Sequence, residues 1–469
     1  MDAIPMIEIK NLSYHYPGHQ SENQLVNINF QIQKGAFVLL TGESGCGKST
    51  LLSCINGLST QFFEGRQEGE IMLCGESLVG KSAADIGEKI GTVFQNPRSQ
   101  FFTTDTEDEV AFGLENMRIP KKEIRERMEK AFRDLHLEHL RGRSIFELSS
   151  GEKQLIAISS IYAMSPEVIL LDEPSANLDT ESIGKLVEIL RELKKKGKTI
   201  LVVEHRFHFL RELVDEVILM ESGRISNIYR KSDLSRVFEH GIEGKWEETY
   251  SGVRIKTQMG TSPEHILEMK GLSFSYEKKK PILSEISLTA RSGDLIGIRG
   301  RCGSGKTTLA SIIAGLRSAD QGSITFDGTQ FTERMRLQQS YFVLQDSDYQ
   351  LFSDSVKGEL QIGNRKKEKL SEKEVLGIFG LEDKESAHPM SLSRGQKQRL
   401  TIAAGLFCAA SIFILDEPTS GLDKKNRRVM EEVLRELART GKIVFVISHD
   451  EELLSACCSK VINMGGNVK

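Results

Sequence analysis

Several things are scarce in this chain of 469 residues, and each scarcity narrows what it can be. Its seven cysteines form no C-x-x-C pair, which argues against a zinc-binding cysteine framework. Two of them lie inside glycine-rich loops, which reads as reduced thiols in a cytosolic setting, most simply small buried hydrophobes. No secretory signal is visible at the N-terminus. The longest apolar runs are strand-sized and far short of a membrane span, so any pore must come from another chain. Neither sign of charge dominates. With 62 basic residues against 66 acidic ones the formal charge is −4, and no general nucleic-acid surface is expected. The single tryptophan falls in a stretch, about Tyr229 to Ser262, that lacks periodicity and reads as tail plus linker. What remains is 39% hydrophobic and too long for one compact domain, so two or three are expected.

The organising stretch is Gly42-Glu43-Ser44-Gly45-Cys46-Gly47-Lys48-Ser49, which fits G-x-x-x-x-G-K-[ST]. The apolar run Ala36 to Leu40 before it reads as a buried strand, and Thr50 to Ile55 after it as a helix. That is the context the chemistry requires. Glycines let successive N–H groups turn inward around phosphate, and the helix N-terminus adds its positive end. Lys48 can then reach the β- and γ-phosphates, and the Ser49 hydroxyl can ligate Mg²⁺. The pattern recurs at Gly300-Arg301-Cys302-Gly303-Ser304-Gly305-Lys306-Thr307, after the apolar Leu295 to Ile298. Two nucleoside triphosphate sites are expected.

The whole region around each loop repeats. Asn11-Leu12-Ser13-Tyr14-His15-Tyr16 is matched by Gly271-Leu272-Ser273-Phe274-Ser275-Tyr276, which puts Tyr16 and Tyr276 in equivalent places. Each is either a core aromatic or a ring that stacks on a base. Strands are expected at Ile7-Glu8-Ile9, Leu12 to Tyr16 and Leu25 to Ile32. Further on, Gln95 and Gln345 each close a β-rich run, and a charged helical section follows. In the first copy this section spans about Glu107 to Leu140; in the second it is shorter and broken by Gly363, Gly377 and Gly380. Then come Ser149-Ser150-Gly151-Glu152 and Ser393-Arg394-Gly395-Gln396, each opening an apolar helix, and apolar strands ending in Asp172-Glu173-Pro174 and Asp416-Glu417-Pro418. Beyond Asn177-Leu178-Asp179 and Gly421-Leu422-Asp423, each copy ends with a strand followed by His205 or His449. Ser149 to Asp172 and Ser393 to Asp416 span equal distances, as do Asp172 to His205 and Asp416 to His449. A duplicated α/β domain with mostly parallel strands accounts for this. The boundaries read as 1–245 for the first domain, 246–265 for a linker and 266–469 for the second. The two signature serines also have a plain explanation, because Ser149-x-x-Glu152 and Ser393-x-x-Gln396 are capping boxes; capping does not account for Gly151 and Gly395.

This ordered set of motifs resembles the nucleotide-binding domains of ABC-type ATPases, two in one chain, and the resemblance covers nearly everything except the linker. It implies P-loop NTPase domains, each with an antiparallel β subdomain and a helical subdomain beside the core sheet. It implies ATP bound by Tyr16, residues 42–50 with Lys48 and Thr50, Tyr276, and residues 300–308 with Lys306 and Thr308, joined by Ser149, Gly151, Ser393 and Gly395. Mg²⁺ would be held by Ser49, Gln95 and Asp172 in one site and by Thr307, Gln345 and Asp416 in the other. Glu173 and Glu417 would activate water, with His205 and His449 at the γ-phosphate. The two domains would pair head to tail, each loop facing the other's signature. Here the sequence departs from the family, with Ser150 for Gly, Glu152 for Gln and Arg394 for Gly. Glu152 would put a negative charge near the triphosphate on Lys306, so the site with Lys48 should hold ATP more tightly.

The loops after the glutamines narrow the class. Gln95-Asn96-Pro97-Arg98-Ser99-Gln100-Phe101-Phe102, echoed by Gln350-Leu351-Phe352, resembles the ATPases of energy-coupling factor transporters, which drive uptake of vitamins or of cobalt and nickel. The implied partners are a membrane-embedded coupling protein and a substrate-binding membrane protein, with this chain peripheral on the cytoplasmic face. The alternatives are a soluble tandem ATPase acting on ribosomes, which usually carries a long charged helical linker, and the ATPase of an exporter.

Overall fold

The structure is a computed structural model. It describes residues 4–17, 24–63, 65–176, 178–205, 207–240, 264–276, 281–301, 303–345, 347–362, 371–408, 410–422 and 424–464. Cys302, Asn177, Asp423, Gly363 and nearly all of the expected linker therefore lie outside the described residues, as does the side chain of Arg394. The chain folds as two compact units, Met1–Trp246 and Glu247–Lys469.

In the first unit the core sheet runs Arg224–Arg230, Glu216–Glu221, Phe37–Gly42, Thr199–Val203, Val168–Asp172, Ile90–Val93. All its pairings are parallel except the first, a hairpin. The central parallel strands are buried on both faces, as near-continuous apolar runs such as Val168-Ile169-Leu170-Leu171 require. Alternate residues divide the core. Phe37, Leu39, Ile169, Leu171, Ile200 and Val202 pack against the helices, while Val38, Leu40, Leu170, Leu201 and Val203 pack against the phosphate-loop helix and a second sheet. That second sheet is antiparallel, ordered Leu25–Ile32, Ile7–His15, Arg66–Leu73, Glu76–Ser77.

The second unit repeats the plan with a fully parallel sheet, Ser340–Val343, Ile412–Asp416, Ile443–Ile447, Leu295–Gly300, Lys460–Met464. Its antiparallel sheet runs Leu283–Arg291, Ile266–Phe274, Gln321–Phe326, Thr329–Gln330. The helical parts are Thr106–Asn116 and Lys121–Asp134 in the first unit, and Val356–Gln361 and Glu372–Ile378 in the second.

Three expectations are corrected. The two short strands expected before Tyr16 are one, Ile7–His15, with its register shifted around Asn11, whose φ is 51°. Part of the supposed tail is folded: Tyr229 lies in the strand that ends at Arg230, and Lys231–His240 is a helix that buries Val237 and Phe238, the latter edge-on to Phe207. Gly377 does not break the second helical section; it lies inside Glu372–Ile378, and the chain turns at Gly380, where φ is 62°.

Candidate functional site

The candidate residues of the first unit gather at the C-terminal edge of its parallel strands, where open α/β sheets collect ligands. The loop leaves strand Phe37–Gly42 and enters helix Lys48–Ile55 through Gly47, whose φ of 103° favours glycine. A β-carbon on Gly47 would also lie only 2.9 Å from the carbonyl of Gln24. No side chain caps this helix, nor Lys306–Ile313 in the second unit. The first-turn N–H groups are thus left for an incoming anion. Lys48 and Lys306 are buried and satisfied by their own loops. Lys48 Nζ donates to the carbonyls of Gly42 (3.0 Å) and Glu43 (2.8 Å), and Lys306 Nζ to those of Gly300 (2.7 Å) and Arg301 (3.0 Å).

At the next strand end Asp172 is half-buried, and its buried Oδ1 has no hydrogen-bond partner. Burial first, then the neighbouring Glu173 charge, push its carboxyl up to about 6, against the pull of the Ser49 hydroxyl bonded to it. Burial likewise raises Asp416, whose Oδ2 accepts from the Thr307 hydroxyl at 3.2 Å. Among the described residues no three His, Cys, Asp or Glu side chains cluster as a metal site. One carboxylate beside one hydroxyl is instead the sparse oxygen set that suits Mg²⁺, which keeps waters and phosphate oxygens as its other ligands. The orphaned Asp172 oxygen fits such an ion.

Glu173 and Glu417 follow, both at positive φ, 46° and 49°. Glu173 is met by the side chains of Gln95, through Nε2 to Oε2, and of His205, whose Nε2 lies 3.1 Å from Oε1. Glu417 is set differently. Its Oε2 accepts from the Ser448 hydroxyl (3.2 Å) and the His449 amide (3.3 Å), while His449 Nε2 stands 3.6 Å from Oε1. Burial, then the Asp416 charge, raise Glu417 to about 7.

Tyr16 and Tyr276 are not the core aromatics; the buried ring of the first pair is Tyr14. Their hydroxyls instead meet Thr50 Oγ1 (3.4 Å) and Thr308 Oγ1 (3.1 Å) at the start of the phosphate-loop helices, and Tyr276 keeps 54% of its surface open.

Ser149 and Ser393 cap their helices in full capping boxes with Glu152 and Gln396. Gly151 has a packing reason as well: a β-carbon there would come within 2.7 Å of Ser182 Cβ, whereas the nearest atom at Gly395 is Asn426 Oδ1 at 3.2 Å. Glu152 is not a bare negative charge, since Arg143 Nη1 lies 3.2 Å from it and the Ser149 amide donates to it at 2.8 Å. That pairing weakens the charge argument for tighter ATP binding at the Lys48 loop.

The post-glutamine segments hold residues that sequence reasoning missed. Glu109, buried, accepts from the amides of Phe102 (3.0 Å) and Thr103 (2.9 Å), and Glu359 from those of Phe352 (2.9 Å) and Ser353 (2.8 Å). Gln100 and Gln350 clamp the preceding strand through Thr92, Phe94, Phe342 and Leu344. Their equal spacing from the phenylalanines in both copies was the available signal. On this scaffold Phe101 packs partly into the core and Leu351 is buried, while Phe102 and Phe352 stay 73% and 76% exposed. Phe102 lies stacked on Phe112, with centroids 4.8 Å apart.

The profile of ABC transporters matches residues 25–176 and 283–420, so the chain belongs to the ABC transporter family, and it is an ATPase with two such domains in tandem. Over 468 residues it is 41% identical to an ABC transporter ATP-binding protein of Treponema denticola, covering 98% of this chain and 96% of that one. A Bacillus subtilis relative, named for HMP/thiamine import ATP binding (YkoD), is 32% identical over 97% of this chain and 89% of its own length. The solved structure of cbiO1 from Clostridium perfringens, described as part of the ABC transporter complex cbiONQ, is 30% identical, spans 51% of this chain and 92% of that one, and superposes with a TM-score of 0.45. Among the described residues no helix is long and apolar enough to cross a membrane.

Proposed function

We propose that this chain hydrolyses ATP at both phosphate loops to drive an energy-coupling factor type importer of a vitamin or transition-metal ion. Lys48 and Lys306 would exchange their loop carbonyls for phosphate oxygens, with the uncapped helix N-termini and residues 42–50 and 300–308 supplying backbone donors. Ser149, Gly151, Ser393 and Gly395 keep the ATP-binding role that the resemblance assigns them. Tyr16 and Tyr276, anchored through their hydroxyls, would offer their rings to the base. Ser49, Gln95 and Asp172, and Thr307, Gln345 and Asp416, would hold Mg²⁺, which neutralises charge on the phosphates when bound. Glu173 and Glu417 would take the proton of the attacking water, and His205 and His449 would orient it.

The observation that carries the transport reading is the pair of exposed rings, Phe102 and Phe352, each held out by the same buried glutamate and glutamine clamp. A large apolar side chain fixed in solvent on a rigid loop suits docking to an apolar partner. The vitamin-import name of the Bacillus subtilis relative supports the direction of transport. The test is co-purification of a Phe102→Ala, Phe352→Ala variant with the membrane proteins encoded beside it. Loss of the complex with ATPase activity kept is expected. An undiminished complex and undiminished transport would reject docking through these rings.

A further inference from the structure

A carboxylate has two acceptor oxygens, and a base needs only one of them for the proton. The two oxygens of Glu417 are treated unequally. Oε2 accepts from the Ser448 hydroxyl (3.2 Å) and the His449 amide (3.3 Å). Oε1 is shut off from solvent and has no hydrogen-bond partner, and His449 Nε2 at 3.6 Å is beyond bonding distance. Ser448 is fully buried, and its amide donates to the Ile298 carbonyl at 3.2 Å. Its hydroxyl is fixed as well, because the Asp450 amide donates to Oγ at 3.0 Å. A hydroxyl carries one proton, and with Asp450 on a lone pair that proton is directed to Glu417 Oε2. Asp450 is itself held in place. Its Oδ1 caps the helix Glu451–Cys457 through the Leu453 amide (3.2 Å), and its Oδ2 takes the Thr419 hydroxyl (3.3 Å).

We propose that Ser448 is a positioning residue for Glu417: its hydroxyl pins Oε2 and so leaves Oε1 as the oxygen that takes the proton of the attacking water. This rests on the reading of Glu417 as the water-activating carboxylate of the second unit. A buried acceptor without a donor is costly in a folded chain, and the O–H of a water aimed at the γ-phosphate is a donor that fits Oε1. The last torsion of a glutamate side chain is broad, so a carboxylate without the pin spreads over many orientations. The one that faces the water is then populated less. In the first unit the place of Ser448 is filled by Glu204, a buried carboxyl whose Oε1 takes the Ser175 amide at 2.8 Å. Glu173 is met there by the side chains of Gln95 and His205. The serine pin is thus a device of the second unit.

The test uses the full chain with the first site silenced by Glu173→Gln. In that background Ser448→Ala should lower kcat about tenfold while KM for ATP stays within about twofold. Ser448→Thr, which keeps the hydroxyl, should hold kcat within about threefold of the background. Ser448→Cys keeps the shape but offers only a weak donor, and it should lose kcat as the alanine variant does. An unchanged kcat in Ser448→Ala overturns the proposal, as does a loss in Ser448→Thr equal to that in Ser448→Ala. If the threonine methyl prevents folding, the cysteine arm decides, and a cysteine variant with the background kcat overturns the proposal. Failure of the underlying reading would look different: the Glu173→Gln, Glu417→Gln double variant would itself turn over ATP at near the parent rate.

Discussion

His205 Nε2 lies 3.1 Å from Glu173 Oε1, while its counterpart His449 Nε2 lies 3.6 Å from Glu417 Oε1. The same two residue types, at the same separation along the chain, are thus set at different reach in the two units. Replacing either glutamate by glutamine keeps the size and hydrogen bonding and removes the proposed base. The double variant should bind ATP as the parent does and lose turnover by roughly a hundredfold or more. Equilibrium binding of a fluorescent ATP analogue alongside steady-state phosphate release would check both halves.

Glu109 accepts from the Phe102 and Thr103 amides, and it takes the Thr103 hydroxyl as well, at 3.0 Å. Glu109→Ala should strand these donors, lowering stability by about 1–3 kcal/mol. Limited proteolysis should then cut faster between residues 101 and 105. A variant as stable and as resistant as the parent would show that the loop holds its shape without this side chain.

Gly151 and Gly395 occupy equivalent helix starts and should tolerate alanine unequally. The β-carbon at Gly151 runs into Ser182 Cβ at 2.7 Å, and the one at Gly395 comes no nearer than 3.2 Å to its neighbours, the Asn426 and Leu422 side chains. Gly151→Ala is expected to cost about 1–3 kcal/mol and Gly395→Ala less than about 1 kcal/mol, read from thermal unfolding. Equal losses would point to the helix start itself rather than to the close approach.

Glu204 also makes stability depend on pH. Burial raises its carboxyl from an ordinary 4.5 to about 8, so the folded chain holds the proton more tightly than the unfolded chain does. The resulting stabilisation is complete below the lower value and is lost as pH rises through the higher one. Asp172, raised to about 6, and Glu417, raised to about 7, act in the same sense. Between about pH 5 and about pH 9 the parent should lose more stability than Glu204→Gln, by up to a few kcal/mol. Urea unfolding of ligand-free protein at the two pH values measures this, and parallel curves would contradict it.

Much of this was legible in the residues because the candidate side chains ride on strand ends. Asp172, Glu173 and His205 are adjacent in space through the register that pairs Asp172 with Val203, and a rigid parallel sheet forbids changes in that spacing. The duplication then doubled every signal. Less was legible where a side chain's direction depends on tertiary packing. Phe101 and Phe102 read alike, yet neighbours in an extended segment point opposite ways, and only one reaches the core. The helix Lys231–His240 was taken for tail because ten residues give too few turns to show a period, and its buried pair Val237 and Phe238 is short. Glu204 was passed over because an acid after an apolar strand reads as a solvated strand end, whereas in the fold it is buried and accepts the Ser175 amide.

On the water-activating role proposed for Glu173 and Glu417, their left-handed backbone sets the interests of the fold against those of the reaction. An L side chain in that region carries a penalty of about 1 kcal/mol that glycine escapes. A library of this protein sorted only for heat resistance should therefore drift toward glycine or asparagine at these two positions, and the survivors would be durable and idle.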